Sequence, residues 1–284
     1  MKLLRTLGLA LITGALAIGG PAAQGKKWDT IRIATEGAYA PWNFTGAGGK
    51  LEGFEIDLAN DLCSRMRVKC EIVAQDWDGI IPALTAKKYD AIMAGMSATD
   101  ERRKVIEFSS VYAAGPNGLL VAKSSPLAKM PGTGTAYSMT TQPAEAEKAI
   151  EAMKPLLKGK TIGVQVSTIH ANYADKYFNG TAEIREYKTT EQHDLDLAAG
   201  RIDGVLADRT ALVGTLDKPE FKDFEIVGPS ITGGTFGPGI GVGLRKEDGE
   251  LKKMFDGAIA AAKADGTIKT LSQKWFKLDI TPLG

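Results

Sequence analysis

Glu36, Tyr39 and Trp42 fall at the end of Ile31-Arg32-Ile33-Ala34-Thr35-Glu36-Gly37-Ala38-Tyr39-Ala40-Pro41-Trp42, so a carboxylate and two aromatic rings arrive where a short strand stops. An open α/β sheet presents its binding crevice at such strand ends. A carboxylate beside ring faces favours a cation, because the full negative charge and the ring quadrupole attract the same sign. Trp77 is a further ring, in Gln75-Asp76-Trp77-Asp78, that either meets a ligand or fills a core.

Arg102 follows Ser97-Ala98-Thr99-Asp100-Glu101. Its planar guanidinium can hold a carboxylate through two parallel N–H bonds, which lysine cannot do. Taken alone, Arg102 paired with Asp100 or Glu101 on a solvated face is the simpler reading. Gln165-Val166-Ser167-Thr168 lies between a strand and a helix, so Ser167 or Thr168 can cap the helix while free N–H groups point outward. Asp208 ends Asp203-Gly204-Val205-Leu206-Ala207-Asp208 and can cap the following helix, receive a ligand ammonium, or do both. His170 and His193 are the only histidines. His170 could face the crevice, but both read as exposed helical residues, and they form no metal pair.

The elements that must position these groups alternate between β-type and helical runs, which argues for parallel sheets. Strands are expected at Thr30 to Thr35, Cys70 to Ala74, Ala91 to Met96, Gly118 to Ala122, Thr161 to Val166, Glu183 to Tyr187, Gly204 to Ala207 and Ile240 to Leu244. Helices are expected at Phe54 to Met66, Gly79 to Ala86, Thr168 to Phe178, Thr190 to Ala199, Asp208 to Leu216, Gly249 to Lys263 and Thr267 to Trp275. In the first helix Ile56, Ala59, Leu62 and Cys63 recur at helical spacing. Met130 to Lys158 reads as a surface loop plus a helix around Ala144 to Met153, remote from the site.

The chain has 284 residues, 44% of them hydrophobic and 24% charged, and a formal net charge of +1. That composition suits one or two globular cores and gives no global field for nucleic acid or an anionic membrane surface. Residues 1–25 combine Lys2 and Arg5, an apolar run from Leu7 to Ile18 and small residues at Ala22 and Ala23, which is the layout of a cleavable secretory signal. A periplasmic protein is the expectation.

The run Asp90-Ala91-Ile92-Met93-Ala94-Gly95-Met96-Ser97-Ala98-Thr99-Asp100-Glu101-Arg102, with the opening strand and Gly53-Phe54-Glu55-Ile56-Asp57-Leu58, resembles the polar amino-acid family of periplasmic solute-binding proteins. Within it the likeness is to binders of lysine/arginine/ornithine, of histidine and of opines, over residues 28–279. The resemblance implies an α/β, two-lobe periplasmic binding protein fold of type II, each lobe a mainly parallel sheet flanked by helices. The first lobe would comprise 26–114 and 234–284, the second 115–233, with crossings near Tyr112 to Gly115 and Gly233 to Gly237. It also implies a disulfide between Cys63 and Cys70, which export to an oxidising compartment favours independently. A zinc site is not expected from two thiols with no neighbouring histidine.

By the same resemblance Arg102 and Ser97, with the backbone of Gly95 and Met96, hold a ligand α-carboxylate. The Gln165, Ser167 and Thr168 turn binds it from the second lobe, and Asp208 receives the α-ammonium. Glu36 would bond a distal cation while Tyr39 and Trp77 sandwich the stem. Burying Glu36 among rings without a partner is costly, so a cationic ligand is the physical complement. Ala94 and Gly95 replace a Ser-Ser pair of the lysine/arginine/ornithine binders, and the added room suits the second acid arm of an opine, although Asp208 opposes that arm. Arginine, ornithine, lysine and octopine- or nopaline-type opines are the expected ligands.

A monomer without cofactor is expected, delivering its ligand by lobe closure to the permease of an ABC transporter, or signalling through a chemoreceptor. The alternative function is a cyclohexadienyl or arogenate dehydratase on the same fold, for which Glu36 is the only obvious general acid.

Overall fold

The alternating pattern resolves into two five-stranded sheets of matching topology. The computed structural model describes residues 27–282. The secretory-signal expectation for 1–25 lies outside the described residues.

In the first sheet the order is Lys69–Ala74, Thr30–Thr35, Ala91–Ile92, Ile240–Leu244, Glu107–Ala113. In the second it is Glu183–Tyr187, Thr161–Gln165, Gly204–Asp208, Asn117–Ala122, Phe224–Val227. Three neighbouring strands are parallel in each sheet, and the fourth runs against them. Consequently Thr35, Ala74 and Ile92 stop on one wall of the crevice between the sheets, and Gln165, Tyr187 and Asp208 stop on the other.

Each sheet is covered on both faces, which is why its strands read as continuous apolar runs. Phe54–Met66, with Phe54, Leu58 and Leu62 fully buried at i, i+4 spacing, packs with Gly249–Ala264 and Thr267–Phe276 on the first sheet. Arg67 then turns left-handed (φ 57), and the N–H groups of Arg67 and Val68 return to the carbonyls of Ser64 and Cys63. That reversal brings Cys63 into a disulfide with Cys70, Cα to Cα 6.1 Å. In the second lobe Pro143–Leu157 and Ile169–Phe178 cover one face, and Thr190–Ala198 and Arg209–Leu216 the other.

Several expectations shift. The strand expected to reach Met96 ends at Ile92, with one more bond from the Met93 N–H to the Ala34 carbonyl, and Gly95 then takes φ 61. The chain passes from the first sheet to the second between Ala113 and Asn117. The return, expected near Gly233 to Gly237, falls between Phe236, still packed in the second core, and Ile240, already in the first. The Met130 to Lys158 segment is no surface appendage: Met130, Ile150, Met153 and Leu157 are buried in the second core.

Candidate functional site

The facing strand ends enclose a cleft whose empty space, open solvent included, is about 550 Å³. Glu36, Tyr39, Trp77, Gly95, Ser97 and Arg102 line it from the first lobe. Gln165, Thr168 and Asp208 line it from the second. Hydrogen bonds cross the gap: Gln165 Nε2 donates to Glu36 Oε1 at 2.6 Å, Trp77 Nε1 to the Val166 carbonyl at 3.0 Å, and Arg102 Nη2 to the Ser167 carbonyl at 3.2 Å. Trp42 Nε1 also donates to Thr210 Oγ1 at 2.8 Å. The lobes are therefore closed on one another.

Glu36 follows directly on the strand Thr30–Thr35 and is only 7% exposed. Burial pushes its carboxyl up from 4.5 to about 7, against the opposing bond from Gln165, and the nearby Glu55 and Asp76 carboxylates add to the rise. Gln165 spends its other donor contact on the Lys188 carbonyl at 3.1 Å. An amide holds Glu36, and no fixed cation neutralises it among the described residues. Tyr39 stacks on the fully buried Trp42 at 6.4 Å between centroids, so Trp42 backs the ring and struts the lobes.

Arg102 sits in the helix Asp100–Val105, whose Thr99 cap accepts the Arg102 N–H. Its Nη1 donates to the Ser97 carbonyl at 3.0 Å, and its guanidinium lies 5.1 Å from the Trp77 ring centroid. It does not pair with Asp100 or Glu101, since Glu101 is bonded to Lys104 on the exposed side. Burial pulls Arg102 down to about 10, which leaves it charged at neutral pH. Asp208 caps Arg209–Leu216 through the Thr210 N–H at 2.8 Å and is also bonded by the Thr210 hydroxyl. Desolvation raises its pKa while those bonds lower it. A Cβ on Gly115 would come within 2.8 Å of Asp208 Oδ2, so only glycine lets the crossing segment pass there.

Thr168 caps Ile169–Phe178, accepting from the Ala171 N–H and donating its own hydroxyl to the Gln165 carbonyl. Ser167 stands in the left-handed region (φ 59) and meets Arg102 through its carbonyl, but does not line the cleft. The Gly95 N–H is not free to meet a ligand, and the Met96 side chain turns to the core. The Gly95 N–H is committed to Glu55 Oε1 at 2.7 Å, and Met96 is core, its carbonyl bonded to the Gly241 N–H. What Gly95 contributes is a missing side chain, because a Cβ there would lie 2.9 Å from the Tyr39 ring.

Sequence reasoning missed Glu55. It is wholly buried beneath the cleft and accepts from Gly95, from Asn43 Nδ2 at 2.6 Å and from the Tyr112 hydroxyl. Asn43 in turn accepts the Gly37 N–H at 2.8 Å, next to Glu36. An acid in the first turn of a helix looks like a dipole effect, which hides this role. The reading of both histidines as exposed is corrected: His170 and His193 are 8% and 1% exposed and both line the cleft, because each lies near the start of a helix whose N-terminus faces it. His170 Nε2 bonds Asn117 Oδ1 at 2.6 Å, and burial pulls the ring down to about 3, so it is neutral. Among the described residues no group of three metal-ligating side chains occurs.

The family model of the bacterial extracellular solute-binding proteins, family 3, matches residues 31–278. An octopine-binding periplasmic protein of Rhizobium meliloti is 51% identical over 283 residues, covering 93% of this chain and 95% of the relative. The lysine/arginine/ornithine-binding periplasmic protein of Escherichia coli is 37% identical over 255 residues, 89% of each. Among solved structures, a periplasmic His/Glu/Gln/Arg/opine family-binding protein from Silicibacter pomeroyi in complex with lysine superposes with a TM-score of 0.71 at 35% identity, covering 88% of this chain and 99% of that one.

Proposed function

The chain belongs to the bacterial extracellular solute-binding proteins of family 3, and from that premise we propose that its cleft captures a cationic amino acid or an arginine-derived opine for delivery to the permease of an ABC transporter. The observation that carries the ligand class is Glu36, a buried carboxylate held by an amide and, among the described residues, by no fixed cation. Such a group is completed by a cationic ligand. Arg102 on one lobe and Asp208 on the other supply the opposite charges that an α-carboxylate and an α-ammonium need. With Glu36 ionised, Glu36 and Asp208 against Arg102 leave one negative charge, the complement of arginine, ornithine or lysine. The names of the relatives, octopine-binding and lysine/arginine/ornithine-binding, support the same class.

Capture works by closure. Groups from both lobes meet one ligand, so ligand free energy favours the closed form over the open one. The relatives are binding proteins rather than dehydratases, and binding is the function proposed.

The test is calorimetric titration of protein unfolded and refolded to strip carried-over ligand, against arginine, ornithine, lysine, octopine and nopaline. Tight opine binding with weak arginine binding assigns the space beside Ala94 and Gly95 to a second acid arm. Tight arginine or ornithine binding with no opine response assigns Asp208 to a free α-ammonium. Silence with all five overturns the reading.

A further inference from the structure

His193 has a polar atom that the closed fold leaves unspent. It lies in the helix Thr190–Ala198, is 1% exposed, and forms part of the cleft wall. Its Nδ1 stands 3.0 Å from Asp194 Oδ1. Asp194 is buried, and its other oxygen accepts from Thr215 Oγ1 at 2.8 Å and lies 3.7 Å from Lys218 Nζ. With the Nδ1 proton donated to a carboxylate, Nε2 is free to act as a lone-pair acceptor. Nε2 is buried and has no hydrogen-bond partner among the described residues. An orphaned polar atom in the wall of a ligand cleft costs free energy that a ligand donor reaching it recovers.

His193 also packs beside the strand that carries Gln165. Gly163 and Gln165 share one face of their strand, being two residues apart. A Cβ on Gly163 would meet His193 Cβ at 3.2 Å, so the histidine packs on the face from which Gln165 reaches Glu36. Tyr187 meets the imidazole edge-on at 6.1 Å and fixes its plane.

We infer that His193 Nε2 is a second acceptor for the ligand's distal cation, taking one N–H while Glu36 takes another. The inference rests on the proposed cationic ligand and adds a specificity residue to that site. A guanidinium offers several N–H groups in one plane and can satisfy two separated acceptors at once, whereas a compact ammonium is less suited to do so. His193 therefore favours guanidinium over ammonium ligands.

The experiment compares wild type, His193→Leu, His193→Gln and Glu36→Gln by titration with arginine and lysine. A hydrogen bond to a charged group corresponds to about ten- to a hundredfold in affinity. The expected result is a loss of that size for arginine in His193→Leu, a smaller loss for lysine, and recovery in His193→Gln, whose side-chain carbonyl restores an acceptor. Undiminished arginine affinity in His193→Leu, with a clear loss in Glu36→Gln, overturns the inference while leaving the cationic site standing. Absence of arginine and lysine binding in wild type defeats the underlying reading instead. Nitrogen-15 imidazole spectra of the wild-type protein, which has two histidines, give an answer that needs no variant. On addition of arginine the Nε2 signal of His193 shifts toward the position of a hydrogen-bonded acceptor, and an unmoved signal overturns the inference.

Discussion

Gln165 of the second lobe reaches across the cleft and donates to Glu36 of the first at 2.6 Å. This bond couples closure to the state of one buried carboxyl. Ligand charge, proton and lobe position all act on the same group.

Replacing Glu36 by Gln selectively weakens cationic ligands, by about ten- to a hundredfold for arginine. A neutral amide keeps a bond to Gln165 and loses the charge. Titration of arginine and of an uncharged side-chain analogue checks it, and equal losses for both would sink the assignment of Glu36 to the distal cation.

The pH dependence follows from burial. With the Glu36 carboxyl at about 7, a cation arriving below that pH must displace a proton. Arginine affinity therefore falls from pH 8 to pH 6, approaching tenfold per unit at the acid end. The unliganded protein behaves in the opposite sense. A carboxyl whose folded pKa exceeds its unfolded value stabilises fully below about 4.5 and loses that contribution as pH rises through about 7. Glu36→Gln removes the loss, so its ligand-free melting temperature at pH 8 exceeds that of wild type, with an upper bound of roughly 3 kcal/mol.

Arg102→Ala abolishes measurable binding of every ligand, by roughly a hundredfold or more, and Arg102→Lys does not rescue it. The reason is the fork: Nη1 and Nη2 hold the Ser97 and Ser167 carbonyls, one from each lobe, and a lysine ammonium cannot reproduce that planar spacing. Titration against the full ligand set, with a thermal scan to verify folding, gives the answer.

Glu55→Leu destabilises the fold by about 1–3 kcal/mol for each buried donor left unsatisfied, because Tyr112, Asn43 and the Gly95 N–H lose one shared acceptor. Denaturant unfolding measures this directly. A loss under 1 kcal/mol would show that the three donors find other partners.

Removing the Cys63–Cys70 disulfide by a double serine substitution lowers stability by about 2 kcal/mol and leaves arginine affinity unchanged. The bridge ties the end of Phe54–Met66 to the start of its neighbouring strand, at the edge of the sheet opposite to the cleft. A change in affinity would argue against that separation.

Most of the architecture was legible, since apolar periodicity and strand-end residues act locally. The helix Phe54–Met66, the strand Thr161–Gln165 and the caps Thr168 and Asp208 all follow from nearest neighbours in the chain. Short elements were not. Asn43–Thr45 and Phe224–Val227 depend on partners supplied by distant ladders.

The sequence by itself determined which charges could meet a ligand: Glu36, Arg102 and Asp208 announce themselves as strand-end or helix-start residues beside turns. Only the tertiary structure decided how each was spent. Gly95 gave its N–H to Glu55, Met96 went to the core, and His170 and His193 turned inward. The physical reason is that strand and helix periods set which face a side chain occupies, whereas burial, orphaned donors and bonds between lobes depend on what closes over that face.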